Sequence, residues 1–203
     1  MIQKITKEMI PYDILIQTLC KLPYYGHGKG CINHGKKKGC PPRKTIENHF
    51  DLNKGLFVIY TEYQLGEFTE KMRIRHPEWN EKKYPDKQTR KKEHILEEIL
   101  NKLRAKHPDW PETYYPKKIT STWNSSRQWY NPRRWQPTAR KQHEKELKKL
   151  KNEEIIINRC PEALGINITG LMANIGIKLN WQWPPEHNKE NKTYIISIAG
   201  YKK

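Results

Sequence analysis

The chain has 203 residues, with 39 Lys and Arg against 22 Asp and Glu and a formal net charge of +17 before any histidine protonates. That length holds one domain, or a small domain with a large insertion, and is too short for a multidomain enzyme of ordinary size. The hydrophobic share of 35% lies below the usual roughly 45–50% counted with glycine, so the core is modest.

No apolar run approaches the roughly 18 residues that span a bilayer. The opening MIQKITKEMIPYDILIQTLC has no apolar stretch ending in a small-residue cleavage site. The expectation is a cytoplasmic protein with no membrane partner. In that compartment four cysteines, Cys20, Cys31, Cys40 and Cys160, point to a metal or redox role rather than a disulfide framework.

In chain order, a short helix is predicted over 13–19, followed by the loop YYGHGKGCINHGKKKGCPPRK, which has no hydrophobic period. Thr45 is placed to cap a helix beginning IENHF, and LFVIYTEY, short, β-branched and aromatic with Gly55 before it, reads as a strand. The last flank offers a β-branched run in EEIIINR. A helix follows, capped by Asn167, with Ile168, Leu171, Met172 and Ile175 on one face and Gly176 as its stop. KLNWQWPP and TYIISIAGY, joined across PPEHNKENK, read as a hairpin. The fold expected is α+β: a small sheet with flanking helices, built from residues 1–70 and 152–203.

Residues 71–151 form the insertion. They carry 23 Lys and Arg against 10 Asp and Glu, and five of the seven tryptophans. Ile95, Leu96, Ile99, Leu100 and Leu103 recur at helical spacing and predict one helix. The later PTARKQHEKELKKLK offers only Leu147 and Leu150 to a core, and is expected to be solvated or covered by a partner. HPEWNEKKYPDK and HPDWPETYYPKK, 31 residues apart, are a local duplication, two copies being too few for a solenoid.

Cys31 and Cys40 are separated by eight residues, too far for a C-x2-C pair, across a loop flexible enough to bring both thiols to one ion. Pro41 and Pro42 stiffen the chain after Cys40 and remove two backbone donors. Lys36, Lys37 and Lys38 favour the thiolates that metals require. By spacing alone, Cys20 and Cys160 read equally well as small buried hydrophobes. His34, between two cysteines, is a spare ligand.

CINHGKKKGCPP resembles the opening motif of an uncharacterised archaeal and bacterial family of predicted metal-binding proteins, approximately C-x-N-[YH]-G-K-x3-C-P-P. CPEALGINITGLMANIGIKLNWQWPP is similar to that family's C-P-E-A-x-G-I-N-V ending with its Gly-terminated helix and W-P-P strand. HPEW and NPRRWQPTARK resemble, more loosely, a Trp-Gln-x3-Arg segment of one branch. The resemblance implies that Cys31, Cys40 and Cys160 come together as ligands, with Cys20 matching an upstream cysteine of the family's first cluster, which makes all four cysteines one site; whether Cys20 or His34 is the fourth ligand stays open. The cysteine-rich cluster that the larger branch carries before its C-terminal motif is missing from this sequence, so one centre is expected and not two. The family supplies no reaction to carry over.

Four thiolates suit a [4Fe-4S] iron-sulfur cluster or a closed tetrahedral zinc. Ligands from remote parts of the chain and a long Gly-rich loop favour the cluster, zinc being the alternative. In the insertion, Trp79, Trp110, Trp129, Arg133, Arg134, Trp135 and Arg140 interleave rings with cations. That pattern suits a larger protein complex, RNA or local packing. No nucleotide-binding loop, G-x-S-x-G or H-E-x-x-H occurs, and whether the protein is an enzyme stays open. Two functions are expected: a redox or cofactor-assembly component docked on a larger protein complex, or an accessory protein of RNA binding or modification whose metal is structural or handles sulfur.

Overall fold

The computed structural model describes residues 1–22, 30–42, 45–79, 83–85, 87–115, 122–124, 132–150, 152–179 and 191–203. Its centre is a four-stranded antiparallel sheet of β1 (Ile2–Ile5), β2 (Leu56–Gln64), β6 (Lys192–Tyr201) and β5 (Ile155–Asn158), in that order across the sheet. Two strands come from each flank, so the α+β core is assembled from both ends of the chain. β2 and β6 pair along their whole length, from Leu56 opposite Gly200 to Gln64 opposite Lys192. β1 and β5 cover the outer edges of that pair. A separate two-stranded ribbon joins β3 (Lys83–Pro85) and β4 (Thr122–Asn124).

Strand alternation sends side chains to two faces. Val58, Tyr60 and Ile198 pack with Ile5, Ile46, Phe50 and Leu164, and with Leu171 and Met172 of α4 (Ile168–Asn174). Ile59 and Ala199 face the other way, onto Leu147 of α3 (Pro132–Lys149). The sheet is therefore the middle layer, with α3 on one side and α4 with the N-terminal 3-10 turns on the other. α4 forms as expected: the Asn167 side chain accepts from the Gly170 amide, and Gly176 follows at φ +80.

Three local expectations need correction. The 13–19 helix is a 3-10 helix over Ile14–Lys21. The segment after Thr45 is a single 3-10 turn, Ile46–Asn48, and the Thr45 hydroxyl takes the Asn48 side-chain amide instead of capping the backbone. Lys178 and Leu179, the start of the expected hairpin, are not in a strand; the remainder of that arm lies outside the described residues. α1 (Leu65–Arg75) continues directly from β2, with Leu65, Thr69 and Met72 buried, an element not anticipated from the sequence.

The largest correction concerns α3. It is not a solvated rod with two leucines to bury. Trp135, Ala139, His143 and Leu147 repeat every fourth residue and are all buried, laying one stripe across β2 and β6. Trp135 stacks on Tyr63 at 5.5 Å between ring centroids. His143 lies between the Thr61 and Ser197 hydroxyls, 2.8 Å from each. The insertion thus finds in the chain's own sheet the surface that an external partner was expected to provide.

Candidate metal centre

The four cysteines sit on three separately anchored segments. Cys20 lies in the last turn of the 3-10 helix Ile14–Lys21, whose first turn is capped by Asp13. Asp13 is almost fully enclosed; its carboxylate accepts from the Leu15 amide at 2.8 Å and meets Lys106 and His107 at the end of α2 (Lys87–Lys106). Burial pushes this carboxyl upward, but the donors from Lys106, Leu15 and His107 outweigh it and hold it below the ordinary carboxylate value. α2 also buries Leu96, Leu100 and Leu103 against Ile16 and Leu22. The helix carrying Cys20 is therefore clamped polar at its start and apolar along its side.

The loop returns to that helix through Gly30. At φ +85 this residue occupies the left-handed region, and a Cβ there would stand 2.6 Å from the Lys21 carbonyl carbon and oxygen. The close approach lets the Cys31 amide donate to the Cys20 carbonyl at 2.8 Å, putting the two cysteines side by side. Successive turns then close the loop: His34 donates to Cys31, Lys37 to Asn33 and Cys40 to Lys37, while Gly35 donates to Pro41. The Pro41–Pro42 peptide is cis. Lys36, Lys37 and Lys38 project into solvent.

Cys160 leads from β5 into the turn Pro161–Leu164. Gly165 ends that turn at φ +84, with the Asp13 carbonyl oxygen 2.9 Å from where its Cβ would lie; the Asp13 amide donates to the Gly165 carbonyl at 2.8 Å. The same residue thus clamps the Cys20 helix to α2 and to the Cys160 turn. On the other side, Arg159 forms a bidentate pair with Glu144 of α3 at 2.8 and 2.9 Å.

All four cysteines are free; three are half-buried and Cys160 is exposed. Burial pushes the Cys20 thiol up to about 11, with further upward contributions from Glu162, Cys31, Cys40 and Cys160. Cys160 is raised by burial, by Glu162 and by Cys40 and Cys31, against a lowering by Arg140. Among the described residues, no group of three or more His, Cys, Asp and Glu stands ready to hold a metal ion. The donor set nevertheless has the right chemistry: soft sulfur ligands suit zinc, copper(I) or iron-sulfur clusters. A cation would relieve the repulsion that resists thiolate formation at Cys20.

The residues singled out in the insertion separate into distinct roles. Trp135 is a core residue. Trp79 stacks on His76 at 3.9 Å and 1° between planes, with the Arg134 guanidinium 4.4 Å from its centroid. Trp110 stacks on His107 at 4.1 Å and 9°, its edges near Tyr114 and Tyr115. The duplicated HPxW is thus a repeated helix stop, in which the His amide closes the preceding helix, on Met72 in one copy and Leu103 in the other, and the Trp amide bonds back to the His carbonyl. Arg134 and Arg140 are exposed on α3. Arg133 lies in α3 but its side chain, like Trp129 as a whole, falls outside the described residues.

Sequence reasoning missed Asp13 and Gly30 as the residues that hold the cysteine-bearing segments together. An acid before a short apolar segment was the available signal for Asp13; a contact with the Lys21 backbone leaves none for Gly30. Among the described residues, no helix is long and apolar enough to cross a membrane. No protein-family model, curated protein or solved structure matches the chain.

Proposed function

We propose that the protein binds a metal through Cys20, Cys31, Cys40 and Cys160, with an iron-sulfur cluster as the preferred occupant, and acts as a redox or cofactor-assembly component of a larger protein complex. The observation that supports the reading is that the backbone segments carrying Cys20, Cys31 and Cys160 are held against one another, through Gly30 on the Lys21 backbone and Gly165 on Asp13. The resemblance of the CINHGKKKGCPP and CPEALGIN segments to an uncharacterised family of predicted metal-binding proteins points to the same reading.

When bound, a cluster would supply one-electron chemistry or sulfur and iron for transfer. The chain's own residues would hold it close to the surface, with Cys160 exposed, as exchange with a docked partner requires. Glu162, partly buried and with its carboxyl raised by burial, adds a carboxyl beside the thiols. Anaerobic purification followed by iron, zinc and acid-labile sulfide analysis tests the reading. Iron with sulfide that is lost in Cys40→Ser supports it; zinc without sulfide turns the site into a structural staple.

A further inference from the structure

We propose that the outer face of α3 binds the phosphate backbone of double-stranded DNA without reading its sequence. With Trp135, Ala139, His143 and Leu147 turned to the sheet, helical geometry directs Arg134, Thr138, Lys141, Lys145 and Lys148 straight outward. All five are exposed and four are basic. The stripe is about 21 Å long at 1.5 Å per residue, roughly six base pairs at 3.4 Å each.

The acids on α3 do not oppose it. Glu144 flanks the stripe and pairs with Arg159, and Glu146, turned toward the sheet, pairs with the N-terminal amine and Lys149. The wider insertion adds to the same sign, since residues 71–151 carry most of the excess of Lys and Arg, which draws a polyanion in from a distance.

Three alternatives fit the surface less well. A protein partner needs apolar or aromatic anchors at its centre, and the outward stripe exposes none. Single-stranded RNA is held largely by rings stacking on bases, but among the described residues of the insertion Trp79, Trp110 and Trp135 are already engaged with His76, His107 and Tyr63. An anionic membrane would require apolar residues beside the cations to enter the bilayer boundary. A duplex of high charge density needs only cations, and the B-form major groove accepts a protruding helix whereas the narrow A-form groove does not.

The test does not depend on the metal. The full-length protein, with whatever metal it carries, is titrated into a labelled 20-base-pair DNA of arbitrary sequence and followed by fluorescence anisotropy. With about four phosphates neutralised, affinity is expected to fall on the order of a hundredfold between 50 and 200 mM salt. Lys145→Glu should weaken binding several-fold and flatten the salt slope by about one or more. Lys178→Glu, the same charge change beyond α4 on the other side of the sheet, should alter it less than about twofold. Unchanged circular dichroism shows that both variants are folded. No binding, binding insensitive to salt, equal losses in the two variants, or tighter binding to single-stranded RNA, RNA duplex or phosphatidylserine vesicles than to the DNA would each overturn the proposal.

Discussion

His143 shows how much one buried side chain can decide. Its two ring nitrogens face the Thr61 and Ser197 hydroxyls, which can satisfy a neutral ring with one nitrogen donating and the other accepting. Burial lowers its pKa from 6.5 to about 4. Between those two values the unfolded chain takes up a proton that the folded ring refuses. This contribution is therefore complete above pH 6.5 and is lost as pH falls toward 4, by about 3 kcal/mol at most. Urea unfolding midpoints measured from pH 4 to 7 should drop on acidification, and His143→Gln, which keeps a donor and an acceptor, should remove most of that slope. An unchanged slope would mean that other groups control it.

Gly30 and Asp13 act at the same scale on the candidate centre. Gly30→Ala places a Cβ against the Lys21 backbone and forces an alanine into the left-handed region, an expected loss of about 1–3 kcal/mol. If that close approach sets the Cys31 position, metal content per chain should fall in this variant while the far-ultraviolet dichroism stays near wild type. Asp13→Asn weakens a helix cap and the contacts with Lys106 and His107, with an expected cost of about 2 kcal/mol in denaturant unfolding. Because the folded carboxyl is held below its ordinary value, its contribution in the wild type is present above about pH 4 and disappears as pH falls through the folded pKa.

At the scale of elements, strands were the most legible. LFVIYTEY and TYIISIAGY became β2 and β6 because β-branched and aromatic runs fit a pleated, buried surface. The leucine period of α2 and the Asn167 cap of α4 were equally plain. α3 was not, because its buried stripe contains an alanine and a histidine that carry no hydrophobic signal, and only the sheet opposite gives them partners. Trp135→Ala should therefore cost about 3–5 kcal/mol, the range for a large core aromatic. Trp79→Ala, half-buried and stacked on His76, should cost less in the same thermal or denaturant measurement.

For the whole molecule, the sheet binds both chain ends, α3 closes one face, and the cysteine segments gather beside the end of β5. That the Cys20 and Cys160 segments adjoin was not written in their spacing: Cys160 lies 140 residues after Cys20, and only sheet topology and the Asp13 contact with Gly165 bring the two segments together. The resemblance of two short motifs pointed to one site, but neither the local turns of the loop nor the contact between Gly165 and Asp13 could be read from them. Charge was legible as a total, whereas its arrangement as an outward stripe on α3 depended on which side of that helix is buried.

The most direct test of the central claim is metal and acid-labile sulfide analysis of anaerobically purified protein, with the visible spectrum, on the wild type and the four single Cys→Ser variants. The account predicts iron and sulfide with broad visible absorbance in the wild type, lost or sharply reduced when Cys31, Cys40 or Cys160 is replaced. Metal content and spectrum identical to wild type in all four variants, or no bound metal in protein isolated without oxygen, would contradict it.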